Sequence, residues 1–153
     1  VAMPKTFTQN QLFRAVLVLL LAIFFTSCEK EVPLGTLTAS VDGNKRVFEE
    51  DPKAEWTSDP EGYELWIHGV GVLNEVSIRI SSQTLITART YNYSSISFYR
   101  YIIFIPIEYS TTSGYVDIIE MDGTHVQGTF RGTLNSSDGS TVVLSKGVFN
   151  LSL

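Results

Sequence analysis

The stretch Tyr115-Val116-Asp117-Ile118-Ile119-Glu120-Met121-Asp122-Gly123-Thr124-His125-Val126-Gln127-Gly128-Thr129-Phe130-Arg131-Gly132-Thr133-Leu134 decides the fold. Its residues alternate with a period of two, which is the repeat of a strand whose neighbouring side chains point to opposite faces. Tyr115 to Glu120 reads as one strand, Met121-Asp122-Gly123 as a turn, and Thr124 to Leu134 as the returning strand. Val126, Phe130 and Leu134 share the inward parity with Gly128 and Gly132, while His125, Gln127, Thr129, Arg131 and Thr133 face out. The two glycines weaken a strand by themselves but let it coil sharply or let another segment pass closely.

Working outward, Asn135-Ser136-Ser137-Asp138-Gly139 reads as a hairpin loop before a last strand, Ser140 to Leu151. There Val143, Gly147, Phe149 and Leu151 make an imperfect stripe, and Val142 with Leu144 implies partial cover on both faces. Upstream, Leu37, Ala39 and Val41 alternate with hydroxyl residues, Asp42-Gly43-Asn44-Lys45 supplies a turn, and Arg46-Val47-Phe48 returns. Residues 49–62 read as a polar connection around Trp56, which would pack as a lid over a sheet edge. Tyr63 to His68 and Val76 to Ser81 read as strands about a Gly69-Val70-Gly71 bend, followed by Leu85 to Tyr91 and Ser97 to Ile105. Pro106 lacks a donor and calls for an edge or a bulge, and Thr111 to Gly114 for a turn. No interval after residue 31 has a sustained helical period. The expectation is an all-β fold, an antiparallel β-sandwich or a small closed β-barrel of about eight strands.

The amino-terminal part has a different character. Ala15 to Phe25 is uncharged and follows Lys5 and Arg14. This block is shorter than the ~20 apolar residues that cross a hydrocarbon core, and it reads as an export signal. Phe25-Thr26-Ser27-Cys28 resembles the lipobox of bacterial lipoproteins. That resemblance implies cleavage before Cys28, diacylglycerol on its sulfur, and a further acyl chain such as palmitate on the new amino terminus. An ordinary cleaved signal, or a retained anchor with a free thiol, are the alternatives. Cys28 is the sole cysteine, so no intrachain disulfide can form and the domain must be held by its own core.

The expected organisation is a signal peptide over 1–27, a lipidated cysteine and short tether over 28–33, and one β domain over 34–153. Glu29-Lys30-Glu31 resembles the acidic tags that follow the cysteine in surface lipoproteins of the Bacteroidetes. The carboxyl-terminal motifs, Ser113-Gly114-Tyr115, Gly128-Thr129-Phe130 and Gly147-Val148-Phe149, together with Val41-Asp42-Gly43, resemble an uncharacterised family of small Bacteroidetes lipoproteins. The likeness spans most of residues 36–149 and implies export and a β fold, without catalytic residues. The location it implies is the outer membrane or cell surface, lipid-anchored, with a periplasm-facing orientation as the variant.

The chain has 11 basic and 16 acidic residues, for a net charge of −5. Loss of residues 1–27 would remove Lys5 and Arg14 and no acid, leaving 9 basic against 16 acidic. Such a balance excludes a nucleic-acid footprint and a polybasic membrane surface.

Candidates for chemistry are sparse. His68 and His125 both fall on polar parities, and no Gly-x-Ser-x-Gly elbow is present. Glu64, Glu75, Glu108, Asp117 and Glu120 are carboxylates that no local motif pairs. Asp42-Gly43-Asn44, Asp122-Gly123-Thr124 and Asp138-Gly139-Ser140 read first as turns and second as oxygen donors to calcium. No cofactor or metal set is expected. The aromatic residues Trp56, Trp66, Tyr91, Tyr93 and Tyr99 are the candidate binding platform, for a glycan or an envelope protein, wherever they escape the core. The alternatives are a lipocalin-like carrier with an apolar cavity lined by Tyr63, Val76, Ile78, Phe130 or Phe149, and a hydrolase of unassigned residues.

Overall fold

The alternating segments build a single continuous antiparallel sheet of ten strands in a computed structural model that describes residues 31–92, 95–102 and 105–153. In chain order these are β1 (Thr36–Val41), β2 (Asn44–Val47), β3 (Glu50–Asp59), β4 (Gly62–Gly71), β5 (Asn74–Ser82), β6 (Thr90–Tyr91), β7 (Ser95–Ile102), β8 (Ile105–Met121), β9 (His125–Asn135) and β10 (Thr141–Ser152). Neighbours run β2-β1-β10-β9-β8-β7-β5-β4-β3, and β6 pairs with β8. Residues 1–27, expected to be a signal peptide, and Cys28 and Tyr93 lie outside the described residues.

This architecture corrects the expected sandwich or closed eight-stranded barrel. The sheet curls into an open half-barrel whose edges stand 9 Å apart. Laddered strands need a spacing of about 4.8 Å, so these edges are not hydrogen-bonded to each other. At one level they meet by packing. Phe48, just past β2, is 1% exposed, and a Cβ on Gly69 of β4 would stand 3.1 Å from its Cβ.

Residues 49–62, expected as a connection, are largely the edge strand β3. Its polarity misled because an edge strand is half solvated: Glu55 to Asp59 are all exposed. Pro52, a register shift between Glu50 and Lys53, and Asp51 at φ 51° also obscure it, and all three are devices that blunt a free edge. Thr111 to Gly114 does not turn but bends within the 17-residue β8, where a shift between Thr111 and Ser113 realigns the ladder with β9. Leu85 to Tyr91 contributes only the two residues of β6. Pro106 pairs with Tyr101 in a part of β8 that overhangs β9, whose ladder begins at Ser110. The imperfect stripe of β10 also resolves: Val142 and Leu144 face in, the ladder shifts between Leu144 and Gly147, and Gly147, Phe149 and Leu151 then face in.

The concave side is filled. Leu65, Ile67, Val76, Ile78, Leu134 and Phe149 are completely buried, and Phe130 is 2% exposed against Phe149. Each side chain of this kind contributes about 1.5–3 kcal/mol when buried. All residues of this core lie between Leu37 and Leu151, inside the compact unit Val32–Leu153, so that unit carries its own core.

Candidate functional site

Alternation in β4, β5, β7 and β8 leaves their other parity on the outer, convex face, and the register sets those side chains in rows. Val70, Glu75, Tyr99 and Glu108 form one row, and His68, Ser77, Ser97 and Ser110 the next. Trp66, Arg79 and Ser95 form a third. Alternate residues of a strand are ~6.6 Å apart, so the outer rows are separated by about 13 Å with the serine row between them. By register this is a shallow trough whose floor is His68 and three serines and whose sides carry aromatic and charged side chains.

Each wall is braced on its own side. The Trp66 indole N–H donates to Ser77 Oγ at 2.6 Å, its ring stacks on His68 at 5.1 Å, and Lys53 Nζ stands 5.3 Å from the ring centre. Opposite, the Tyr101 hydroxyl donates to Glu75 Oε2 at 2.9 Å, and Tyr99 stands beside Glu108 across the ladder, where its phenol feels that carboxyl group. His68 Nδ1 lies 3.6 Å from Glu75 Oε1, beyond hydrogen-bond reach, and is buried without a hydrogen-bond partner. The Glu75 bond is the main reason the Tyr101 phenol titrates above its ordinary range; for Tyr99 burial comes first and the neighbouring Glu108 second. This face carries phenol and serine hydroxyls, the Glu75 and Glu108 carboxyl groups and the Trp66 indole.

The five residues of the expected platform therefore separate. Trp66 and Tyr99 share this face. Trp56 sits on the free edge strand β3, 39% exposed, stacked on Tyr63 at 6.0 Å. Tyr91 belongs to the core at 9% exposure, so it is not part of any platform; its hydroxyl bonds the backbone of Thr87 and Arg89 stands over its ring. Conversely His68, Glu75, Tyr101 and Glu108 were not grouped from sequence. Their shared outward parity was legible, but the pairing of β5 with β7 across residues 83–94 was not.

The other candidates disperse. Glu64 pairs with Arg79 at 2.9 Å, and Asp117 accepts from the Thr90 hydroxyl at 2.8 Å. The Asp122 and Asp138 carboxylates serve their own hairpin turns, whereas that of Asp42 reaches β10 and Arg100. Asp42 accepts from Val143 N–H, Asp138 from Ser140 N–H, and Asp122 from Thr124 and His125. Glu120, Asp122 and His125 bring ligand atoms within 4.8 Å of one another, yet one Asp122 oxygen is already engaged by its own turn. Val76, Ile78, Phe130 and Phe149 pack against one another in the core, and Tyr63 lines a polar surface pocket of about 350 Å³ with Asp59, Glu61 and Ser82.

No protein-family model, no curated protein and no solved structure matches the chain.

Proposed function

We propose that this chain is an exported lipoprotein, anchored by lipid at Cys28, whose β domain is a non-enzymatic binding module for an extracellular carbohydrate. Anchoring rests on the apolar segment that ends at the sole cysteine, and two or more acyl chains are what hold a protein stably to a membrane. The observation that carries the binding reading is the trough between Trp66 and Tyr99, floored by Ser77 and Ser97 and edged by Glu75 and Glu108. A sugar ring has an apolar C–H face that suits an indole or phenol and a rim of hydroxyls that suits carboxylates and serines. A core packed with aliphatic and aromatic side chains supports binding on the surface rather than inside the sheet.

The binding test is titration of the domain against gluco-, manno- and xylo-oligosaccharides, with Trp66→Ala and Tyr99→Ala beside an Arg131→Ala control. Each aromatic variant is expected to weaken binding by about tenfold or more, the equivalent of 1.4 kcal/mol. Equal retention by all variants that remain folded would remove the site. For the anchor, intact mass and membrane partitioning of native protein are compared with Cys28→Ala. Unmodified soluble protein in both samples would end that part of the proposal.

A further inference from the structure

The devices that blunt the free edge of β3 are confined to its first half. Asp51 at φ 51°, Pro52 and the register shift between Glu50 and Lys53 all precede Ala54, and from Lys53 opposite His68 to Asp59 opposite Gly62 the ladder is regular. β3 ends the sheet, so alternate backbone N–H and carbonyl groups of this regular half point away from β4, and among the described residues none of those has a backbone partner. Ala54 is 5% exposed, but Glu55 to Asp59 are all exposed. An unprotected edge of that kind is a template for one more strand.

An apolar cleft lies beside that edge. Trp56 pairs with the buried Leu65 and so belongs to the concave parity, yet it is 39% exposed. With Leu85, Ile86, Met121 and Leu153 it lines a cleft of about 470 Å³ that also touches Asp122. Leu153 follows β10, which outruns β1 there, since β1 begins at Thr36 opposite Asn150. An apolar cleft alone would suit any apolar molecule. Its place beside an unpaired edge selects an extended peptide, whose main chain pairs with the edge while alternate side chains enter the cleft. Charge narrows the choice further. Residues Glu50 to Glu61 include five carboxylates and one lysine. Lys53 lies between Asp51 and Glu55, at 3.8 and 3.3 Å, and among the described residues no lysine or arginine pairs with Asp59 or Glu61. Two copies meeting edge to edge would set these acids against each other, which is destabilising, whereas a basic peptide meets them with opposite charge.

We propose that the second half of β3 captures an extended basic peptide by strand addition, with an apolar side chain seated against Trp56, Leu85 and Met121 and basic side chains beside Asp59 and Glu61. This site is separate from the carbohydrate trough, which lies on the convex face of β4, β5, β7 and β8. Failure of either leaves the other standing.

The test titrates short synthetic peptides into the unit Val32–Leu153, which carries its own core, by calorimetry. One peptide alternates valine or phenylalanine with lysine, a second has glutamate in place of lysine, and two more are the lysine peptide N-methylated at odd or at even positions. The lysine peptide is expected to bind, and the glutamate peptide to bind at least about tenfold more weakly. One N-methylated form should lose binding and the other keep it, because an added strand turns only alternate N–H groups toward the edge. Trp56→Ala is expected to weaken the lysine peptide by about tenfold or more. Val72→Ser, at a residue 82% exposed on the β4–β5 turn, should change nothing. Thermal melts show that each variant is folded. The proposal is overturned if the lysine peptide does not bind, if the glutamate peptide binds as tightly, if both N-methylated forms bind like their parent, or if Trp56→Ala binds unchanged. It is overturned too if the unit sediments as a dimer that Trp56→Ala dissolves, which would make a second copy the occupant. A chain that keeps residues 28–31, with Cys28→Ala, and no longer takes the peptide would overturn it in favour of the upstream segment.

Discussion

His68 Nδ1 stands 3.6 Å from Glu75 Oε1, while the other oxygen of that carboxylate is held by the Tyr101 hydroxyl at 2.9 Å. Glu75 is thus fixed by one strong bond and faces a buried ring nitrogen that has no hydrogen-bond partner. Glu75→Ala leaves both groups without a counterpart. Its side chain is 24% exposed, so the stability loss expected in urea denaturation is modest, about 1 kcal/mol. Carbohydrate affinity is expected to fall by about tenfold, because a fixed acceptor is lost from the trough edge. Unchanged affinity with the domain folded would show that Glu75 does not face the ligand.

The same contacts set the alkaline behaviour. Tyr101 is raised above 10.0 chiefly by its bond to Glu75, and Tyr99 by burial followed by the Glu108 beside it. A phenol whose folded pKa exceeds its unfolded one contributes stability that is complete below the unfolded value and is lost as pH rises through the folded value. Ultraviolet titration should therefore find tyrosines ionising later than 10.0, with Glu75→Gln moving one of them back toward it. Two profiles that overlay would place the Tyr101 shift elsewhere.

The hairpin about Asp122-Gly123 and the inward stripes of β1, β4, β5 and β9 were legible because each pairs one apolar with one solvated parity. That the sheet stays open was not legible. β3 reads as a loop since its edge position leaves Glu55 to Asp59 in water, and composition cannot separate a solvated edge strand from a connection. β8 reads as two strands because hydroxyl residues occupy its bend, where Thr111 Oγ1 bonds both the N–H and the carbonyl of Ile96. Two of the aromatic residues grouped as a platform did meet on one face. Tyr91 did not, since a two-residue strand gives no parity long enough to tell which way its ring points.

Gly128 shows how tightly the coiled part of the sheet is packed. It pairs with Phe149, and an added Cβ would strike the Asp117 carbonyl and stand 2.5 Å from the Phe149 Cζ. Gly128→Ala is expected to cost about 2–3 kcal/mol through overpacking. Gly123→Ala has no steric neighbour within 4 Å and only the conformational cost of φ 87°, about 1 kcal/mol. Thermal melts should rank the two in that order, and the reverse ranking would contradict the close approach of β8, β9 and β10.

Asp122 gives an acid-side counterpart. Its Oδ1 accepts the Thr124 N–H at 2.9 Å, the Thr124 hydroxyl at 2.7 Å and the His125 N–H at 3.0 Å, and these bonds hold its pKa well below the ordinary 3.8. A depressed carboxylate stabilises fully above its unfolded pKa and loses that contribution as pH falls through the folded one. The stability gap between the wild type and Asp122→Ala should accordingly be constant near neutrality and narrow below about pH 4, followed by urea midpoints. A gap that persists unchanged at the lowest pH where the fold survives would mean that the charge is not what the turn uses.

Tyr91→Phe separates core from site. The Tyr91 hydroxyl accepts the Thr87 N–H at 2.9 Å and donates to the Thr87 carbonyl at 3.0 Å, fastening the loop before β6 to the core. Removing that oxygen leaves both backbone groups without this partner and should cost about 1–2 kcal/mol. Because the ring lies inside the curl of the sheet and the trough lies outside it, the variant should bind carbohydrate as the wild type does, while Trp66→Ala should not. If instead Tyr91→Phe lost as much affinity as Trp66→Ala at a temperature where both are folded, binding would have to be sought near β6. The outer face of β4, β5, β7 and β8 would then be only a solvated surface.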